Sequence, residues 1–188
     1  MIRTRVGYCG GTKPAPTYHA LGDHSEAIEI LYDPAKISYA QLLAEFWAGH
    51  DPRWAGGSRQ YRAAVFTVDA EQARQAKASA DEIAKKIGAP VQTAIESLTT
   101  FTPAEDYHQK YYLRRNRDLV ADLAKLAGSE QSFMDSTLAA RLNAYYGSDA
   151  KADDVEHALA DQGLDASIVA KVMTRLRVGP GSSPTCRF

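Results

Sequence analysis

Gln60-Tyr61-Arg62-Ala63-Ala64-Val65-Phe66-Thr67, followed by Asp69 and Gln72 and resumed at Val91 to Glu96, is the stretch that decides the fold class. Gln60 to Thr67 has the composition of a strand. Asp69 with Gln72 opens an Ala-rich helix that ends near Gly88, and Val91 to Glu96 supplies the next strand. Upstream the same order occurs once more. Glu26 to Tyr32 alternates, with Ile28, Ile30 and Tyr32 on one face, and Asp33-Pro34 breaks it. Ser38 and Gln41 then form a capping box for a helix whose face, Leu42, Leu43, Phe46 and Trp47, must pack on something. Repeated strand and helix in this order predict a mixed sheet with helices packed on it, an α/β or α+β arrangement.

Further out, Ile2 to Tyr8 alternates into the Gly10-Gly11 turn, so the chain opens on a strand. Pro14 and Pro16 make Gly11 to Asp23 an ordered irregular loop, a natural place for a surface site. Asp51 to Ser58 reads as a second loop. Thr102, Pro103 and Glu105 combine an N-cap, an N1 proline and a capping-box partner, which predicts a helix from there through Tyr112 toward Arg115. Beyond about residue 117 only helical patterns occur: Leu119 to Leu126, Phe133 to Tyr145, Val155 to Leu159, and Ile168 to Leu176 with Asp165 as its cap. Gly179 to Phe188 reads as a flexible tail carrying Cys186. The expected organisation is therefore residues 1–116, a helical extension over 117–178, and the tail 179–188.

Composition removes several function classes. A chain of 188 residues has room for one main core, and 45% hydrophobic against 24% charged residues is the balance of a globular protein. A formal net charge of -1 gives no support to nucleic-acid or anionic-membrane binding. No apolar run reaches the roughly 20 residues of a bilayer span and no signal-peptide pattern opens the chain, so a cytoplasmic location is expected. Two cysteines, Cys9 and Cys186, cannot build a disulfide framework or a zinc module. His50 and His108 read as structural hydrogen-bonders, because no two histidines have the close spacing of a metal site. No metal and no cofactor are expected, and Lys85-Lys86 and Arg114-Arg115 read as solvated helix charges.

The segment Gly7-Tyr8-Cys9-Gly10-Gly11, then Ala15-Pro16-Thr17-Tyr18 and His24-Ser25-Glu26, resembles the type A peptide methionine sulfoxide reductases. Tyr32-Asp33-Pro34, Ile37-Ser38-Tyr39, Phe46-Trp47, His50-Asp51-Pro52, Arg59-Gln60-Tyr61-Arg62 and Ala104-Glu105-Asp106-Tyr107-His108-Gln109 continue the resemblance in the family's order, over roughly residues 2 to 116. It implies an α/β roll with a ferredoxin-like mixed sheet. It also implies thiol-dependent reduction of methionine S-sulfoxide, in proteins or free, with thioredoxin as the reductant. By motif, Glu26 would supply the proton, and Tyr18 and Tyr61 would hydrogen-bond the sulfoxide oxygen.

The departure is as informative as the match. The family's nucleophile lies in a Gly-Cys-Phe-Trp-Gly motif that precedes the segment resembled here, and that motif is absent from this sequence. The chain is thus expected to be a member truncated at its N-terminus. Sulfoxide reduction needs a thiolate to attack sulfur while the oxygen is protonated, and phenols and carboxylates cannot replace the thiolate. Cys9 reads as a small buried hydrophobe, with a surrogate nucleophile as the alternative. Cys186 resembles the tail thiols that resolve the oxidised cysteine in some members, with an incidental cysteine as the alternative. The loop Trp54-Ala55-Gly56-Gly57-Ser58 lacks the acidic residue that the family often places before the second tyrosine. Against the enzyme stands a second class, a catalytically dead truncated paralogue acting as a binding protein.

Overall fold

The computed structural model describes residues 2–147, 155, 156, 159 and 166–177. It divides into two compact units between Asp106 and Tyr107.

The first unit contains strands β1 (Arg3–Cys9), β2 (Ser25–Leu31), β3 (Ala64–Thr67), β4 (Ala94–Ser97) and β5 (Phe101–Pro103), with helices α1 (Tyr39–Ala48) and α2 (Ala70–Ile87). The class is mixed α+β, and the strands are shared between two small sheets. One has the order β2-β1-β5 and the other pairs β3 with β4. No helix separates β1 from β2, so they pair antiparallel, with Tyr8 opposite Glu26 and Cys9 opposite Ser25. Among the described residues, only β3, α2 and β4 form a crossover unit with parallel strands.

Local signals account for both helices. Ser38 and Gln41 make the reciprocal capping box of α1. The Asp69 side chain accepts from the Gln72 N–H to open α2, and Gly88 closes it at φ +66°, a left-handed conformation that glycine adopts without a Cβ penalty. Leu43 and Trp47 of α1 bury against Ala76 of α2, with Val65 and Ile95 packed alongside. Helix α1 therefore lies over both α2 and the parallel pair.

Two expectations need correction. The strand read from Gln60 begins only at Ala64, because the Tyr61 N–H turns back to the Ser58 carbonyl (3.2 Å) and the Gln60 carbonyl accepts from the Glu26 N–H (2.9 Å). The helix predicted from Thr102 does not form there: Phe101–Pro103 is β5, with Gly7 opposite Pro103, and the Ala104 N–H bonds the Val6 carbonyl (3.0 Å). Proline lacks the N–H of a central strand but suits an edge strand, which β5 is. Helix resumes as a single turn at Asp106–His108.

The second unit holds α3 (Tyr111–Arg114), α4 (Arg117–Leu126), α5 (Glu130–Met134), α6 (Thr137–Gly147) and α7 (Ala166–Arg177) around Leu113, Leu123, Phe133, Leu142, Leu159 and Val172. The apolar pattern from Phe133 to Tyr145 is divided between α5 and α6, where the Ser136 hydroxyl accepts from the Ala139 N–H (3.1 Å) and starts a new helix. Val155 and Leu159 are buried in the same core. The Asp165 cap and the tail 179–188 with Cys186 lie outside the described residues.

Candidate active site

Glu26 stands second in β2, directly after Ser25, and its carboxyl Oε1 accepts from Gln60 Nε2 at 2.6 Å. The same amide nitrogen donates to the Tyr61 phenol oxygen at 3.0 Å. Because the Glu26 N–H also bonds the Gln60 carbonyl, Gln60 grips this residue through both main chain and side chain.

Tyr61 is 57% exposed at the rim. A hydrogen bond with the Tyr18 phenol, with the nearby Glu26 carboxylate adding to it, pushes the Tyr61 pKa up to about 12.

Tyr18 is anchored from the other side. Its main-chain N–H donates to Glu105 Oε1 (3.0 Å), while Glu105 Oε2 accepts the phenol of Tyr8 (2.6 Å), a residue only 2% exposed. Glu105, read from sequence as a capping-box partner, instead ties the loop bearing Tyr18 to β1.

The loop between β1 and β2 is ordered by charge. Asp23 accepts from the Lys13 N–H (3.0 Å), the Thr12 hydroxyl (2.8 Å) and the Thr12 N–H (2.8 Å). These bonds, the Lys13 N–H foremost, hold its carboxyl well below the usual carboxylate range. Arg59 adds bonds to the carbonyls of Asp23 (2.9 Å) and Gly10 (2.6 Å), and buried His24 bonds the Lys13 carbonyl through Nε2 (2.8 Å).

Cys9 ends β1 and is 1% exposed. Burial pushes its thiol up to about 11, with the Arg62 guanidinium pulling weakly the other way. At neutral pH it is therefore a protonated thiol, and nucleophilic attack needs the thiolate. Arg62 donates to the Ser25 hydroxyl (2.8 Å) and makes a two-point ion pair with Glu96 (2.7 Å for Nη2).

Cys9, Glu26, Tyr61 and Arg62 share the wall of a cavity of about 650 Å³, whose remaining lining includes Ile28, Ile30, Leu42, Phe46 and Phe66. His50, on the same wall, bonds the Phe46 carbonyl and the Thr93 hydroxyl (2.9 Å each) and links α1 to the segment before β4. His108 lies against the Tyr107 ring at 4.2 Å.

The structure thus brings Tyr18, Glu26 and Tyr61 together in one hydrogen-bonded string and places Cys9 beside it. Gln60, Glu105, Tyr8 and Arg62 escaped the sequence reading as site residues. Gln60 and Arg62 lay inside the quoted Arg59-Gln60-Tyr61-Arg62 motif, which was a signal of position without one of role.

A carboxyl and a phenol on the wall of a largely apolar cavity, with a second phenol bonded to the first, suit protonation of a polar oxygen on an apolar side chain, and the comparisons with known proteins fall on the same chemistry. The model of the family described as Peptide methionine sulfoxide reductase matches residues 1–142. Peptide methionine sulfoxide reductase A5 of Oryza sativa is 44% identical over 151 residues, covering 77% of this chain and 59% of the relative. Peptide methionine sulfoxide reductase MsrA of Methanoculleus marisnigri is 38% identical over 126 residues, 61% of this chain and 77% of the relative. Among solved structures, methionine sulfoxide reductase A of Corynebacterium diphtheriae aligns with a TM-score of 0.52 at 28% identity, over 59% of this chain and 62% of its own. The chain belongs to the peptide methionine sulfoxide reductase family, in its type A. It spans 59% of the length of the rice relative.

Proposed function

We propose that this protein acts in the thiol-dependent reduction of methionine S-sulfoxide, in proteins or as the free amino acid, and that the residues described here carry the oxygen-protonating half of the reaction. The observation that carries the reading is the bonded set Glu26, Gln60, Tyr61 and Tyr18, of which Glu26 and Tyr61 stand on the wall of a largely apolar cavity. In the reaction a thiolate attacks the sulfoxide sulfur, the S–O bond breaks, and the oxygen ends on the attacking sulfur as a sulfenic acid while the substrate becomes a thioether. As the sulfoxide oxygen takes on charge it needs a proton and hydrogen-bond donors. Glu26 supplies the proton, and Tyr61 and Tyr18 hold the oxygen. Ile28, Phe46 and Phe66 give the methyl and methylene groups an apolar surface.

The attacking sulfur is a thiol other than Cys9, whose buried, neutral state is unsuited to the step. Cys186 has the role of a resolving thiol, thioredoxin that of the final reductant, and the cytoplasm is the compartment. Residues 1–116 form the reductase-like part, 117–178 its helical extension and 179–188 the tail.

The experiment is conversion of separated S and R epimers of a methionine sulfoxide peptide, followed by mass spectrometry with dithiothreitol or thioredoxin present. With dithiothreitol supplying the attacking thiolate, the expected result is conversion of the S epimer alone, reduced at least about tenfold by Glu26→Gln. Equal conversion of both epimers, or full activity in Glu26→Gln, overturns the reading. The protonated state of Cys9 favours a second reading, a binding protein, which binding of the S epimer without conversion would establish.

A further inference from the structure

We propose that Gln60 is a positioning residue for the protonation step: its amide clamps the Glu26 carboxyl and the Tyr61 phenol together and fixes which oxygen of each can present a proton. The inference deepens the reading above and rests on it.

Three contacts converge on this one half-buried side chain and its backbone: Nε2 to Glu26 Oε1 at 2.6 Å, Nε2 to the Tyr61 oxygen at 3.0 Å, and the Gln60 carbonyl to the Glu26 N–H at 2.9 Å. A carboxamide nitrogen carries two hydrogens and no acceptor lone pair, so it serves both oxygens as donor. Glu26 Oε1 is then committed as an acceptor, and the acidic hydrogen of the protonated carboxyl sits on Oε2. The Tyr61 oxygen, already accepting from Gln60, is left with its own hydrogen to direct onward. One amide thereby sets the direction of both donors. The preceding loop, Trp54 to Ser58, holds no carboxylate that could orient the phenol instead.

The test uses the full chain with Gln60→Glu, which keeps the shape and removes the N–H donors, and Gln60→Leu, which removes polarity. Affinity for a peptide bearing methionine S-sulfoxide is measured from mildly acidic to mildly alkaline pH. Gln60→Leu is expected to weaken binding about tenfold at every pH. Gln60→Glu is expected to weaken it at least as much at neutral pH, because the ionised carboxylate has no hydrogen to give Glu26 or Tyr61, and to recover as the pH falls and the new carboxyl regains a hydrogen to donate. A Gln60→Glu profile that follows the native one throughout overturns the proposal, and it remains decisive where Gln60→Leu fails to fold.

A second readout separates this inference from the functional reading. In the native chain the two Gln60 side-chain amide hydrogens are expected at shifted NMR positions, one of which moves toward its free-amide value in Glu26→Leu, which removes the acceptor oxygen. Free-amide signals in the native chain overturn the clamp. Shifted signals in a chain that binds no sulfoxide uphold the clamp and overturn the function.

Discussion

Replacing Arg62 with methionine tests how the site is held. The guanidinium side chain is 12% exposed and its partner Glu96 35% exposed, so the pair lies between a buried bridge and a surface one. Breaking a fully buried pair costs about 3–5 kcal/mol and an exposed pair about 0–1. The intermediate setting, together with the lost bond to the Ser25 hydroxyl, gives about 2–3 kcal/mol. For a unit of this size that corresponds to a fall in Tm of about 10–20 °C. The pH dependence has a definite sign. The hydrogen bonds from Arg62 lower the Glu96 pKa in the folded state, so the stabilisation is present above the ordinary carboxylate pKa and fades as the pH falls through the carboxylate range. The deficit of Arg62→Met should therefore shrink in acid. The chain has two tryptophans, Trp47 and Trp54, both in the first unit, so urea unfolding followed by fluorescence reads the relevant transition. A loss below about 0.5 kcal/mol, or one that does not change between neutral and acidic pH, would refute the reasoning.

Three further outcomes follow from the same geometry. Cys9, with its thiol pushed up to about 11, should resist alkylation by iodoacetamide in the folded chain near neutral pH and react fully in guanidinium; rapid native labelling would contradict its burial. Gly10 has φ +74°, and a Cβ there would lie 2.5 Å from Phe66 Cε1, so Gly10→Ala should cost about 2–4 kcal/mol in urea unfolding. Gly88→Ala, at φ +66° with open space around it, should cost only about 1 kcal/mol, and equal losses would remove the packing argument. Since Asp23 has a lowered pKa, its order-giving bonds persist above the ordinary carboxylate range and are lost as the pH falls through the depressed value. The Thr12 and Lys13 amide NMR signals should report that loss only in strong acid, and unchanged signals there would show that the carboxylate is not what holds the loop.

Local interactions were the legible part of this fold. The Ser38–Gln41 capping box and the Asp69–Gln72 cap each lie within one turn of chain, and both helices begin where those residues place them. The misreading at Thr102 to Glu105 has the opposite cause. The cap signals there are genuine, but Pro103 is taken by the edge of β1, and Glu105 is drawn to Tyr8, 97 residues away in sequence. No local pattern records a partner that distant. The division into two sheets was equally hidden, since strand order alone does not say that β1 and β2 close on each other without a helix between them.

In the site, Tyr18, Glu26 and Tyr61 were singled out through motifs, because an isolated tyrosine or strand carboxylate has no signature of its own. Gln60 was read as the first residue of a strand. It belongs to a turn that carries it 34 positions back to Glu26, a pairing that only the folded chain displays.

The most direct test of the central claim is calorimetric titration of the 188-residue chain with separated S and R epimers of N-acetylmethionine sulfoxide methylamide. Selective binding of the S epimer, weakened at least about tenfold when Glu26→Gln and Tyr61→Phe are combined, is the predicted result. Equal affinity for the two epimers, or unchanged affinity in the double variant, would contradict the claim that this string of side chains receives the sulfoxide oxygen.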